Sequence, residues 1–222
     1  MSPLIVLEMP GTYGLKPRFQ RHLRPLVRVL AGAGITANQV TILAGVLSVA
    51  FGLFLLATPD RRFFALLPVV LFVRMALNAM DGMLAREFGQ QTRLGMYLNE
   101  LADVVSDMFL YLPFAHLPGF SVFWTWMVVV LAVISEMAGT VAAMTGASRR
   151  YDGPMGKSDR AIVFGALGLW AGLEDGLPLP AAYFLPRLLA VLIALTVVQR
   201  VRKGLKELER EDPHAAMPTT DF

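Results

Sequence analysis

Cysteine is absent from the 222 residues, which excludes disulfides, thiolate metal sites and iron–sulfur clusters while leaving the redox compartment open. Histidine is almost absent. The three that occur, His22, His116 and His214, are too scattered to build an imidazole metal centre, so any bound cation would be a hard one held by oxygen. Charge is scarce too, at 17% of residues against 55% hydrophobic and a mean hydropathy of +0.56, too greasy a balance for an ordinary soluble domain. The opening MSPLIVLEMP lacks the basic start, apolar core and small-residue cleavage site of a secretory signal, so the chain is expected to be mature as written. No internal repeat is visible.

What is present is apolar sequence in blocks of about 20 residues, the length that crosses ~30 Å of hydrocarbon. The expected fold is an all-α integral membrane protein of six transmembrane helices, near 38–57, 63–86, 93–116, 121–147, 158–173 and 181–203. The last two have the shortest uncharged runs, Ala161 to Leu173 and Leu188 to Val198, and Pro186 interrupts the second helix. Ahead of them Lys16, Arg18, Arg21, Arg24 and Arg28 interleave with Leu15, Phe19, Leu23, Leu26, Val27 and Leu30. That pattern suits an amphipathic juxtamembrane helix beside anionic headgroups, or equally the positive flank of the first span. Gly32 and Gly34 end it, and Thr36-Ala37-Asn38-Gln39 has the spacing of a capping box. Three segments follow: an N-terminal segment 1–35, a transmembrane domain 36–203, and a tail 204–222, loosely ordered after a helical start.

Sixteen of the 20 Lys and Arg residues fall before Thr36, in the second and fourth loops, or at the C-terminal end. The other side holds only Arg61 and Arg62, with Glu174 and Asp175. By the positive-inside rule, both termini and those two loops face the cytosol. Trp124 and Trp126 fit an aromatic belt at the outer start of the fourth span, or simple packing.

Charge inside spans marks function by default. Spans two and three carry Arg74, Asn78, Asp81 and Arg86, then Asn99, Glu100, Asp103 and Asp107. Helical spacing stacks Arg74, Asn78 and Asp81 on one face, and Glu100, Asp103 and Asp107 on another, with Gly95 and Asn99 alongside. Buried pairing, such as Arg74 with Asp107, would explain part of the set. It leaves Asp81, Glu100 and Asp103 crowded together with few bases, and like charges in low dielectric call for a cation.

The run Asn78-Ala-Met-Asp81-Gly82-Met-Leu-Ala85-Arg86, then Gly95, Asn99 and Asp103, closely resembles the signature of the CDP-alcohol phosphatidyltransferase family, Asp-x2-Asp-Gly-x2-Ala-Arg-x8-Gly-x3-Asp-x3-Asp, with every spacing intact over 26 residues. Ile35-Thr-Ala-Asn38-Gln-Val-Thr41 resembles the family's segment ahead of span one, with Ala37 where proline is usual. The resemblance implies transfer of a phosphatidyl group from CDP-diacylglycerol to an alcohol with release of CMP, or the related phosphoalcohol transfer. It also implies Mg²⁺ or Mn²⁺ against the pyrophosphate, the last aspartate as general base, and a homodimer. The residue types suit that chemistry, because phosphoryl displacement needs charge neutralisation and an oriented, deprotonatable hydroxyl. Gly82, Ala85 and Gly95, with Asn38 and Thr41, are the expected nucleotide and phosphate contacts, and Arg86 is placed to grip a phosphate. Gly82 and Ala85 also read as ordinary helix-packing residues.

The departures are Asn78 and Asn99, where the signature has Asp, so one cation is expected rather than two. Asp81 and Asp103 would hold it with the two asparagines as neutral ligands. Alternatively, Glu100 and Asp107 take over the missing carboxylates, Glu100 the more readily, or Arg74 replaces one cation's charge or balances Asp107. Asp103 is the expected base. Lys157 and Arg160, with Arg149, enter span five from the cytosolic side, where the resemblance implies a basic cluster that binds a phosphate on the acceptor; they also read as topology markers. Glu136, the lone charge of span four, is expected to pair with Arg74 or to line the cavity. A relative that binds CDP-lipid or a membrane partner without turnover is the alternative function. Nucleic acid is not an expected partner.

Overall fold

The computed structural model describes residues 15–173 and 178–211; Glu174, Asp175, His214 and most of the expected tail lie outside the described residues. Those described form seven helices and no strand: α1 Leu15–Gly32, α2 Ala37–Ala57, α3 Leu67–Glu87, α4 Arg93–Tyr111, α5 Val122–Met144, α6 Lys157–Leu173 and α7 Leu179–Glu211. Short 3-10 turns at Arg61–Leu66 and Leu112–His116 precede α3 and follow α4. Four stretches are long and apolar enough to cross a membrane: Ala37–Ala57, Arg61–Glu87, Val122–Met144 and Leu179–Arg210. The other two expected spans differ for visible reasons. α4 carries Arg93, Glu100, Asp103 and Asp107 within 19 residues, and α6 has only 17 residues.

Local chemistry sets the helix ends. α1 closes as its periodicity demands: Gly34 takes a positive φ of 76°, and the amides of Gly34 and Ile35 donate back to the carbonyls of Ala31 and Leu30 at 3.0 Å each. The capping box then opens α2 reciprocally, Gln39 N–H donating to Thr36 Oγ1 (3.3 Å) and Thr36 N–H to Gln39 Oε1 (2.8 Å).

By contacts the chain divides into two compact units, residues 15–45 with 72–102, and residues 46–71 with 103–173 and 178–211. α2, α3 and α4 each contribute one stretch to either unit, and α7 continues as unbroken helix past residue 203 to Glu211.

In the first unit Val27 of α1, Ala37 and Val40 of α2, and Met80, Met83 and Leu84 of α3 form a buried cluster flanked by Leu23, Leu30 and Leu77. Burying Val27 alone is worth about 1.5–3 kcal/mol. Arg18, Arg21, Arg24 and Arg28 occupy the exposed side of α1, so the helix is amphipathic as its pattern predicts. In the second unit Tyr111 stacks on Phe164 with centroids 3.9 Å apart, and Phe114 meets Phe64 and Phe164 edge-on at 5.1 Å each. Backbones approach closely at Gly172, where a Cβ would stand 2.4 Å from the amide nitrogen of Ala65.

Candidate active site

The first unit gathers most of the expected nucleotide-side residues. Asp81 sits mid-way along the last turns of α3 and is buried. Its Oδ2 lies 2.7 Å from Thr41 Oγ1 on α2. Gly82 makes room for Arg86: a Cβ there would come within 2.9 Å of the Arg86 guanidinium, which folds back over the helix while remaining exposed. The connection between α3 and α4 is pinned to the start of α2. Gln90 Oε1 accepts from Ala37 N–H at 2.7 Å, and Thr92 Oγ1 accepts from Gly95 N–H at 2.9 Å, capping α4. Asn38 lies against the same turn: its Nδ2 is 3.4 Å from Thr92 Oγ1, and a Cβ on Gly95 would stand 2.7 Å from its Oδ1. Asn38 and Gly95 therefore fit each other, an arrangement any larger residue at 95 would disturb. Asn78, Ala85, Asn99 and Glu100 are half-buried.

The second unit holds Asp103, Asp107, Glu136 and the basic residues. Lys157, at the first position of α6, forms an ion pair with Asp103, so the expected base and one expected acceptor-side cation are adjacent. Arg160 is placed differently from expectation. Its side chain is 0% exposed, and its five N–H groups are all engaged. Nε and Nη2 donate to Asp107 Oδ2 (3.3 and 3.0 Å), Nη2 to Glu136 Oε1 (2.8 Å), and Nη1 to Ser135 Oγ (3.1 Å) and Met155 O (3.3 Å). It is a buried linchpin of α4, α5 and α6, with no donor left for an acceptor phosphate. Glu136 is paired, with cations other than the expected Arg74: Arg160 at 2.8 Å, Arg200 of α7 at 3.4 Å and Arg149 at 3.7 Å.

Sequence reasoning missed Arg200, Ser135 and Asp152. Arg200 reads as a topology marker, yet it is buried and donates to the carbonyls of Ser135 and, at 3.2 Å, Asp152. The available signal was Glu136 itself, since a lone acid in an apolar helix requires a cation from another one. Asp152 ties residues 145–156 to α7 through Lys203 (2.8 Å) and binds Arg150 (2.7 Å). Burial opposes ionisation of Asp152, but the hydrogen bonds and charges of Lys203 and Arg150 outweigh it and hold the carboxyl below its ordinary value.

A model of the CDP-alcohol phosphatidyltransferase family matches residues 34–201. The chain belongs to that family. It is 48% identical over 157 residues to the inner membrane protein YnbA of Escherichia coli (strain K12), covering 71% of this chain and 78% of that one. It is 27% identical over 199 residues to archaetidylinositol phosphate synthase of Pyrococcus horikoshii, covering 88% and 97% of the two chains. Its fold matches that of Mycobacterium tuberculosis phosphatidylinositol phosphate synthase. The crystal structure of that enzyme with CDP-DAG bound gives a TM-score of 0.69 at 25% identity, covering 91% of this chain and 100% of that one. Its complex with manganese and citrate gives 0.70 at 24%, covering 89% and 92%.

The donor chemistry fits a divalent metal of the kind this family implies. Among the described residues no three Asp, Glu or His side chains gather as a metal-holding group. At the signature positions the sequence has two carboxylates, Asp81 and Asp103, and two amides, Asn78 and Asn99. Oxygen donors of these types suit Mg²⁺ or Mn²⁺ and suit softer metals poorly.

Proposed function

We propose that this chain is a phosphatidyltransferase of the bacterial inner membrane, moving the phosphatidyl group of CDP-diacylglycerol to an alcohol and releasing CMP in phospholipid biosynthesis. The observation that carries this reading is the run Asp81-Gly82-x-x-Ala85-Arg86 with Gly95 and Asp103 at signature spacing, inside a family match spanning residues 34–201. YnbA being an inner membrane protein and the synthases acting in inositol phospholipid formation support it. The six-span layout rests on the apolar blocks, and the placement of termini and site on the cytosolic side rests on the distribution of Lys and Arg. A homodimer belongs to the same proposal.

In this reading Asp81 and Asp103, helped by Asn78 and Asn99 and with Glu100 in reserve, hold one Mg²⁺ or Mn²⁺. When bound, the cation supplies charge neutralisation at the diphosphate. Arg86 grips a phosphate, and Gly82, Ala85 and Gly95 let the nucleotide approach the backbone. Asp103 takes the proton of the acceptor hydroxyl as its oxygen bonds to the phosphatidyl phosphorus and the bond to the CMP oxygen breaks. Lys157 and Arg149, which keep exposed surface, orient the acceptor, free or phosphorylated. Arg160, Arg74, Asp107 and Glu136 support these groups from within the protein.

Asp103→Asn tests the assignment. It should abolish CMP release while leaving CDP-diacylglycerol binding largely intact; loss of binding instead would make ligation its main task. The specific observation behind a second reading is the pair Asn78 and Asn99, which lowers the negative charge of the signature. A relative that binds CDP-lipid without turnover would show binding with no CMP from any acceptor.

A further inference from the structure

We propose that Thr41 is a positioning residue whose hydroxyl fixes the plane of the Asp81 carboxylate so that it can take a divalent cation. This rests on the reading of Asp81 as a cation ligand. Thr41 and Asp81 are 4% and 5% exposed, on α2 and α3, and Thr41 Oγ1 lies 2.7 Å from Asp81 Oδ2. The hydroxyl has one proton and two candidate acceptors, Asp81 Oδ2 and the Ala37 carbonyl one turn back, at 3.0 Å. A mid-helix threonine ordinarily bonds that carbonyl. Here the carboxylate is both nearer and charged, so it takes the proton.

An aspartate needs such a partner. Its terminal torsion is broad, so the plane of the carboxylate is set by what binds it and not by a rotamer well. Thr41 is suited to the task because a β-branched side chain has few χ1 choices in a helix. The helix that carries it is itself fixed: the capping box and Gln90 hold its first turn, and Ala37 and Val40 are buried against Met80, Met83 and Leu84 of the helix that carries Asp81. The same facts argue against Thr41 as a nucleotide contact. Its hydroxyl is buried and already engaged, whereas a phosphate would need an open donor.

The test is Mn²⁺ binding to the purified full-length protein in nanodiscs without lipid substrate, read from the electron paramagnetic resonance of free Mn²⁺. Wild type should bind saturably and Asp81→Asn should lose that binding. Thr41→Val, nearly the same shape, should weaken it by about 10–100-fold, the usual loss when a ligand's supporting partner is removed. Thr41→Ser, which keeps the hydroxyl, should stay close to wild type. Thermal unfolding without Mn²⁺ checks that the variants fold, and the Thr41→Ser comparison stands even if Thr41→Val does not. Wild-type affinity in Thr41→Val, with Asp81→Asn defective, would overturn the positioning role and leave the ligand reading standing. Equal Mn²⁺ binding by wild type and Asp81→Asn would remove Asp81 as a ligand, and the proposal with it. A raised KM for CDP-diacylglycerol in Thr41→Val at unchanged Mn²⁺ affinity would make Thr41 a direct lipid contact and overturn the proposal.

Discussion

Asn78 and Asn99 keep the oxygen donors of the resembled signature but not its charge, and the strength with which a hard cation is held depends on ligand charge. Asn78→Asp combined with Asn99→Asp should therefore tighten Mn²⁺ binding, measured by the same titration; unchanged affinity would point to Glu100 or Arg74 as the group already compensating. Arg160 leads to a different expectation. Replacing it with Met would leave Asp107 and Glu136 buried against fewer cations, which costs about 3–5 kcal/mol where a buried pair is broken. The loss should appear in thermal or denaturant unfolding before it appears in substrate affinity. A stable Arg160→Met protein with a raised acceptor KM would restore the acceptor role. The motif through Asp81, Gly82, Arg86 and Asp103 stands out in the sequence because helical spacing and motif are local properties, and the roles given to those residues belong to the proposal above. The partners of Glu136 do not stand out, since Arg160 and Arg200 lie 24 and 64 residues away and each reads alone as a topology marker.

At the scale of elements, helix starts were legible wherever a cap is written in adjacent residues. Thr36 and Gln39 form their box as spaced. Helix length was less so. α7 runs through Pro186 and on to Glu211 because Lys203 and Glu207 anchor its end to residues 145–156: Lys203 to Asp152, and Glu207 to Ser148 N–H at 2.8 Å and to Arg150. No pattern in the helix itself announces those partners. The Asp152 clasp predicts a pH response. Its carboxyl ionises more readily folded than unfolded, so the stability it contributes is fully present above the unfolded value, about 3.9, and is lost as pH falls through the lower folded value. Amide exchange over residues 148–152, corrected for intrinsic rate, should be constant from about pH 7 to 5 and rise below about 4. Asp152→Asn should exchange fast throughout; an unchanged profile in that variant would place the anchor in Glu207 alone.

For the molecule as a whole, composition and block length made an all-helical membrane protein legible, and α4 shows why the count of spans was harder to read. With Arg93, Glu100, Asp103 and Asp107 within its 19 residues, α4 is not among the four stretches apolar enough to cross a membrane, whereas a count made from block length alone includes it. The central claim is that this family member turns over CDP-lipid with a cation held by Asp81 and Asp103. Its most direct test uses purified protein in vesicles with CDP-diacylglycerol, Mn²⁺ and a panel of free and phosphorylated alcohols, measuring CMP release and identifying the lipid product by mass spectrometry. The account predicts CMP and a new phospholipid in equal amounts with at least one acceptor, abolished by chelation and by Asp81→Asn. Folded protein that releases no CMP with any acceptor, or releases it undiminished in Asp81→Asn, would contradict it.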